Sequence, residues 1–340
     1  MRDLFNKLLI LRTPGIGPAK YAELIAKFGD ADRAAQSLTH DDSFKDSVCK
    51  EMETADRLNI KYLCDDDELY PASLRAIRNH PPVLTVRGNM QVFAKQSVAI
   101  VGTRHATGAG LRFVSDMAKS FADHNHVVVS GIAMGTDAAA HKGALLSSGE
   151  SQTIAVLAGG VDYIWPLENE SLYYKIIERG AVISEMPVGF QPNRSSFALR
   201  NRWIAGLCDR MVLGEADLKS GSMATARFAI EYGRPVYAIP SHPSDPRAAG
   251  PNSLIRDKKA IICLGAQDFF ETDKKTSRTD TTNNKSPMEN SLIDKLGIIP
   301  VSESVLAELV KKSVAEIKRD LVVLELQGLV AKVDGGYIQI

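Results

Sequence analysis

Hydrophobic positions change their period twice along this chain. From residue 1 to about 64 they recur at helical spacing, with one stripe at Leu4, Phe5, Leu8, Leu9 and Leu11 and another at Tyr21, Leu24, Ile25 and Phe28. From about 65 to 270 they gather into short apolar runs, the mark of buried strands. These predict strands at Val98–Val101, Val127–Ser130, Thr153–Leu157, Ala181–Ile183, Met211–Leu213, Val236–Ile239 and Ala260–Cys263. Stretches with helical spacing separate most of them, at 110–122, 137–148, 169–178 and 222–232. Residues 271–287 hold no apolar side chain, so this segment reads as a flexible linker with nothing to bury. In 288–340, Leu292, Ile293 and Leu296 start a helix, Glu303–Val310 forms a second, and Ile317, Leu321, Leu324 and Leu326 lie along a third. Asp334-Gly335-Gly336 between two short apolar runs is a hairpin signal.

Three domains follow. Residues 1–64 form a SAM-like helical domain, and 65–270 an α/β domain. Repeated strand–helix units imply parallel pairing with right-handed crossovers, hence a doubly wound, Rossmann-like parallel sheet covered on both faces. Three helices and a hairpin make 288–340 a winged-helix domain. Between the first two helical stripes, Thr13-Pro14-Gly15-Ile16-Gly17-Pro18 resembles a helix-hairpin-helix turn, which grips a DNA phosphate without reading sequence. A plain interhelical turn fits as well, because the nearby acids Asp30, Asp32, Asp41 and Asp42 leave no basic face.

Composition narrows the choices. The 340 residues are 44% apolar and 24% charged with zero net charge, so any hold on an anion must come from a local cluster of Lys and Arg. Four scattered cysteines without C-x-x-C spacing argue against metal or disulfides and for reduced thiols. No leader and no membrane-length apolar run are seen, so a cytoplasmic protein without membrane partner or cofactor is expected. The winged-helix segment sets six basic residues against eight acids, which favours a protein-interaction or regulatory role over DNA contact.

In a parallel sheet the working residues lie past the carboxyl ends of the strands. The first such end is Gly102-Thr103-Arg104, where a dinucleotide turn would carry a second glycine and this chain has arginine, a fork for phosphate. The next carries Ser130 and Gly131, then Gly135-Thr136-Asp137. Asp137 and His141 fall four apart, which suits a helix cap and its neighbour better than a metal or acid–base pair. Glu185 sits after the fourth strand, either as a catalytic carboxylate or as the acceptor that fixes the turn before Pro187. The densest cluster is Arg194, Phe197, Arg200, Asn201 and Arg202, the guanidinium-plus-aromatic chemistry of single-stranded nucleic-acid binding. The alternative is a surface arginine run with its aromatics packed inward. Ser220-Gly221-Ser222 before a helix is a phosphate cradle, a helix cap, or both. Ser220 has no His and Asp partners, which excludes a serine hydrolase.

Val-Gly-Thr-Arg at Val101–Arg104, Ser-Gly-x-Ala-x-Gly-x-Asp-x-x-x-His at Ser130–His141, Ser-Glu-x-Pro at Ser184–Pro187, Phe-x-x-Arg-Asn-Arg at Phe197–Arg202 and Ser-Gly-Ser-x-x-Thr at Ser220–Thr225 occur in this order. Together they resemble the DNA-processing protein A family (DprA, also called Smf). The resemblance implies a non-enzymatic protein that binds and protects single-stranded DNA, forms a homodimer, and helps load the RecA recombinase during natural transformation. It places Arg104, Arg194, Phe197, Arg200, Asn201 and Arg202 in or beside a DNA groove. Gly102, Thr103, Ser130, Gly131, Ser220 and Gly221 would form its phosphate-facing backbone. Two positions depart from the family pattern: Thr136 stands for the usual Ile and Trp165 for the usual Tyr.

The rival is an enzyme. Nucleoside monophosphate phosphoribohydrolases of related fold carry a glutamate in the loop that corresponds to Gly221–Arg227. Here that region reads Ala226-Arg227-Phe228, without the carboxylate.

Overall fold

The computed structural model describes residues 2–149, 152–270, 300–326, 329–333 and 335–339, with Leu292, Lys295 and Leu296. The linker expected at 271–287, Ile293 and Asp334 lie outside the described residues. The chain divides after residue 271 into two compact units.

The first unit opens with helices α1 (Arg2–Arg12), α2 (Pro18–Phe28), α3 (Ala31–Gln36) and α4 (Asp42–Arg57). The acids that blunted the basic character of this region are structural. Asp30 and Asp41 cap α3 and α4 by accepting the Arg33 and Phe44 N–H groups. Leu8, Leu9 and Tyr21 are buried with Ala34 and Val48, as the stripes required, and Ile10, which lay in neither stripe, is buried with them. Helix does not continue to residue 64, however. Lys61–Cys64 is a strand, too short to announce itself by period.

That strand, β1, edges a nine-stranded sheet with β2 (Val83–Gly88), β3 (Ser97–Val101), β4 (Val127–Ser130), β5 (Thr153–Val156), β6 (Gly180–Ser184), β7 (Arg210–Leu213), β8 (Val236–Ala238) and β9 (Ile261–Ile262). The order is β1-β2-β6-β5-β4-β3-β7-β8-β9. From β6 to β9 every pair is parallel, but β2 runs antiparallel to β6 and to β1. The sheet is therefore mixed and parallel-dominated, where the sequence suggested parallel pairing throughout. No long helix joins β2 to β3, only a 3-10 turn at Met90–Ala94, so the crossover that enforces parallel pairing is missing there.

Helices α5 (Ala72–Arg75), α9 (Arg194–Leu207) and α10 (Gly221–Glu231) pack on one face against Ala99, Val101 and Met211. On the other face α6 (Gly108–Asp123) and α7 (Thr136–Ala144) bury Val114, Phe121 and Ala140 against Val98, Ile100 and Val212. Alternate residues of β3 thus serve both cores. Helix α8 (Glu170–Arg179) closes the β5–β6 end, and α11 (Ala249–Arg256) precedes β9. The chain builds outward from β3 in both directions, through β4 to β6 on one side and from β7 on the other. The junction of β3 with β7 is the topological switch point, where such sheets bind ligands.

The second unit holds α12 (Glu303–Val310), α13 (Val314–Leu326) and the antiparallel hairpin β10 (Val330–Val333) with β11 (Gly336–Gln339). Leu306, Ile317, Leu321, Leu324 and Tyr337 form its core. Among the described residues, no helix is long and apolar enough to cross a membrane.

Candidate nucleic-acid interface

At the switch point the carboxyl ends of β3 and β7 part, and a cavity of about 490 Å³ opens between them, α9 and the start of α10. Gly102, Thr103 and Arg104 form one wall, Phe197, Arg200, Asn201 and Ile204 another, and Lys219, Ser220 and Gly221 a third. The α9 contribution recurs at i, i+3, i+4 and i+7, one face of a helix. The capping box of Asn193 with Ser196 fixes where that helix starts and so which face turns inward.

The Arg104 loop is held from both sides. Thr136 donates its N–H and its hydroxyl to the Thr103 carbonyl, at 3.2 and 3.0 Å. Gly135, with φ of 75°, lies where a Cβ would overlap the Arg104 carbonyl. From β7, the Glu215 carbonyl takes the Thr103 N–H at 2.6 Å, while its carboxylate accepts the N–H and hydroxyl of Thr107. The Thr103 N–H is thereby spent inside the protein, against the expectation that it faces a phosphate. Arg104 itself is exposed. Its guanidinium lies 5.3 Å from the Trp165 ring centre and 6.0 Å from that of Phe197, and the two rings meet edge to face at 5.0 Å.

Arg200 reaches the cavity from below and is 6% exposed. Its Nη1 donates to the Gly131 carbonyl at 2.5 Å and the Val156 carbonyl at 2.9 Å. A Cβ on Gly131 would collide with that guanidinium, so Gly131 makes room for Arg200. Beside it Asp137 accepts the Ala133 N–H at 3.3 Å. Burial raises the Asp137 carboxyl and the Arg200 charge opposes that rise. Burial also depresses Arg200, which Asp137 opposes. Asp137 is not the cap of α7, a place Gly135 takes. His141 bonds Thr153, with Nδ1 2.7 Å from its Oγ1. The Thr153 hydroxyl donates to Val128, so Nδ1 carries the proton and Nε2 is left buried without a partner. Burial holds this imidazole neutral, its pKa pushed down to about 3.

Ser220 caps α10, accepting the Ser222 N–H at 3.3 Å, and Asn201 donates to the Gly221 carbonyl at 3.4 Å. The cradle is thus a cap at the same time. Of the anticipated residues, Gly102, Thr103, Arg104, Phe197, Arg200, Asn201, Ser220 and Gly221 come together. Ser130, Gly131, Arg194 and Arg202 do not line the cavity. Ser130 is fully buried and donates to the Ile100 carbonyl at 2.7 Å. Arg194 is exposed at the first position of α9, and Arg202, two residues past Arg200, turns to the opposite side of the helix. Glu185 is also away from the cavity. It lies half-buried near Trp203 and Arg202, its Oε1 is shielded from solvent without a hydrogen-bond partner, and desolvation raises its pKa. The turn before Pro187 is fixed by Ser184, whose hydroxyl accepts the Met186 N–H at 3.0 Å.

The structure adds Lys219, exposed on the cavity rim, and brings Trp165 to Arg104. Lys219 was hidden in the sequence by its acidic neighbours Glu215 and Asp217. Its position, next to the Ser220 cap and two residues before a glycine-led helix start, was the available signal. Among the described residues no group of three His, Cys, Asp or Glu side chains could hold a metal, and all four cysteines are free.

Residues 61–273 match the family model described as DNA recombination-mediator protein A, across the whole sheet that carries this cavity. The chain belongs to that family. Two further models of the same family match, the DprA-like N-terminal HHH domain at 1–40 and the DprA winged helix domain at 276–336. Protein Smf of Synechocystis is 38% identical over 215 residues, 62% of this chain and 54% of that protein, so the chain spans about half the length of this relative. The crystal structure of DNA processing protein A from Streptococcus pneumoniae superposes with a TM-score of 0.67 at 29% identity, covering 78% of this chain and 97% of that one. DNA processing protein A from Helicobacter pylori, whose structure concerns its single-stranded DNA binding mode, gives a TM-score of 0.58 at 30% identity over 64% and 96% of the two chains.

Proposed function

We propose that the switch-point cavity binds single-stranded DNA, and that the protein protects incoming strands and helps load the RecA recombinase during natural transformation. The observation that carries this reading is Arg104. It is an exposed guanidinium without a carboxylate partner among the described ion pairs, set against two aromatic rings at a cavity mouth that also carries Lys219. Guanidinium and ammonium take successive phosphates, while Trp165 and Phe197 offer faces on which bases stack at about 1–3 kcal/mol each. Neither contact reads a base edge, so no sequence preference is expected. That the H. pylori relative binds single-stranded DNA supports the strand as the ligand.

A homodimer is supported by the exposed side chains of Ile261, Ile262 and Leu264 at the edge strand β9, a sheet border without a further strand among the described residues, and a cytoplasmic location is part of the same proposal. The protein is read as a binding protein and not an enzyme. At the start of α10 the phosphoribohydrolase glutamate has no counterpart, and Asp137 is buried against Arg200. The chain is read as helical, sheet and winged-helix domains, with the first boundary placed before β1 because that strand pairs into the sheet.

Fluorescence anisotropy of a labelled oligothymidine, titrated at several salt concentrations, tests the reading. Binding whose salt slope drops by about one in Arg104→Ala is expected. Equal affinity in a folded Arg104→Ala protein would refute the cavity assignment. Release of free base from nucleoside monophosphates would favour the enzyme.

A further inference from the structure

Arg202 leads to a second site. On the side of α9 turned away from the first cavity lies another, of about 560 Å³, between the end of α10 and the segment that follows α5. Arg78, Arg202 and Arg234 all line it, against a single acid, Glu231. None of the three has a carboxylate partner among the described ion pairs. Arg202 Nε donates to the Tyr232 hydroxyl at 3.2 Å, and Arg234 Nη2 to the Ser73 carbonyl at 2.9 Å. Arg234 Nε is buried and has no acceptor.

Three like charges around one opening repel each other, in a chain whose net charge is zero. The carboxyl end of α10 accounts for part of this. Its exposed carbonyls amount to about half a negative charge, which one cation would offset. Glu231 in the lining and Glu185 near Arg202 offset part of the rest, and the positive charge that remains suits an anionic ligand. The site also has an aromatic component. The Tyr232 ring stacks on Phe228 with centroids 6.2 Å apart, and the Arg202 guanidinium lies 5.0 Å from the Trp203 ring centre. Of these rings only Tyr232 lines the cavity, while Trp203 is buried behind Arg202.

The two sites share their walls. Asn201 faces the first and Arg202 the second, from consecutive positions of α9. Helix α10 starts at the first and ends at the second, and its 11 residues span about 15 Å at 1.5 Å per residue. That is the reach of a few nucleotides of extended strand.

The geometry points to a second subsite for the same strand: phosphodiesters leaving the switch-point cavity pass across α9 and α10 and are held by Arg78, Arg202 and Arg234. This rests on the single-strand reading of the first cavity. An oligonucleotide short enough to fill only the first cavity, about 4 nucleotides, is compared with one of about 16 on the full-length protein. The variants are Arg78→Ala, which alters an exposed side chain, and Arg78→Ala combined with Arg234→Ala. Expected is a three- to tenfold loss on the long strand in the double variant, a salt slope lower by about one per arginine removed, and no change on the short one. Arg78→Lys should restore the slope that Arg78→Ala loses. Equal loss on both lengths, or none on the long strand while the wild type binds both, overturns the second subsite and leaves the first standing. A wild type that binds neither length removes both. An oligo-glutamate peptide whose binding is lost in the double variant, while strand affinity is unaltered, would overturn the assignment in favour of an acidic protein segment.

Discussion

The switch-point cavity and the winged-helix unit both belong to folds that hold nucleic acid, and they differ in how many of their basic residues are tied to carboxylates. At the cavity rim Arg104 and Lys219 are exposed and have no acid partner among the described ion pairs. In the winged-helix unit Lys312 pairs with Asp320 at 2.7 Å, while Lys318 and Lys332 converge on Glu303 at 3.3 and 3.8 Å. The same unit exposes Val305, Leu309, Val322 and Val323. A cation already satisfied by a carboxylate has little to offer a phosphate. Lys311 and Arg319 are exposed without a carboxylate among the described ion pairs, so the charge pairing sets Lys312, Lys318 and Lys332 apart from the cavity's cations and not the whole unit.

The largest effect that would sharpen this contrast lies under the cavity. Arg200→Ala strands the Gly131 and Val156 carbonyls and the Asp137 carboxylate, at about 3–5 kcal/mol of stability by chemical unfolding. Arg200 was expected from sequence to anchor the strand. A stable Arg200→Ala protein with weakened binding would restore that role.

Next comes acid. The folded pKa of His141, about 3, lies below the 6.5 of the unfolded chain, so the unfolded state takes up the proton first. Its contribution is complete above pH 6.5 and shrinks as pH falls, by about 1.4 kcal/mol per unit, or about 2 kcal/mol by pH 5. Asp137 and Glu185, both raised by burial, act in the opposite sense. The His141 contribution is therefore the difference between wild type and His141→Gln, whose stability should fall less steeply over that range.

Arg104→Ala should weaken oligothymidine binding about tenfold without lowering the melting temperature. Trp165→Ala should cost about 1 kcal/mol of binding, at the low end for a stacked base, and bound strand should quench Trp165 emission in the wild type. Trp203 is buried and serves as the internal control. The smallest effect is expected in the winged-helix unit: Lys318→Ala with Lys332→Ala should change strand affinity less than about twofold. A loss as large as that of Arg104→Ala would erase the contrast.

Much of this was legible because buried parallel strands are apolar on both faces. The strand ends expected at Val98–Val101 and Val127–Ser130 recur within one residue. Strands β1 and β2 escaped because they enter antiparallel at a border, without the long helix whose period marks a crossover. The arginine cluster was legible as a cluster but not as two sides. Treated as a run, Arg200 and Arg202 look alike. Wound on α9, they sit about 200° apart and serve different surfaces. Ser130 misled for a related reason, since its hydroxyl is spent on the Ile100 carbonyl, and Glu185 misled because it lies toward Trp203 and Arg202, away from the cavity.

Thr136 marks a difference between this chain and the family pattern that places Ile there. Two hydrogen bonds from one residue fasten the loop bearing Arg104 before any ligand arrives. The backbone then has little freedom left to surrender on association, and the entropy lost on binding falls on the strand and on the long side chains of Arg104 and Lys219. Exchanging Thr136 for Ile should therefore leave the bound state's contacts in place and appear as a less favourable binding entropy.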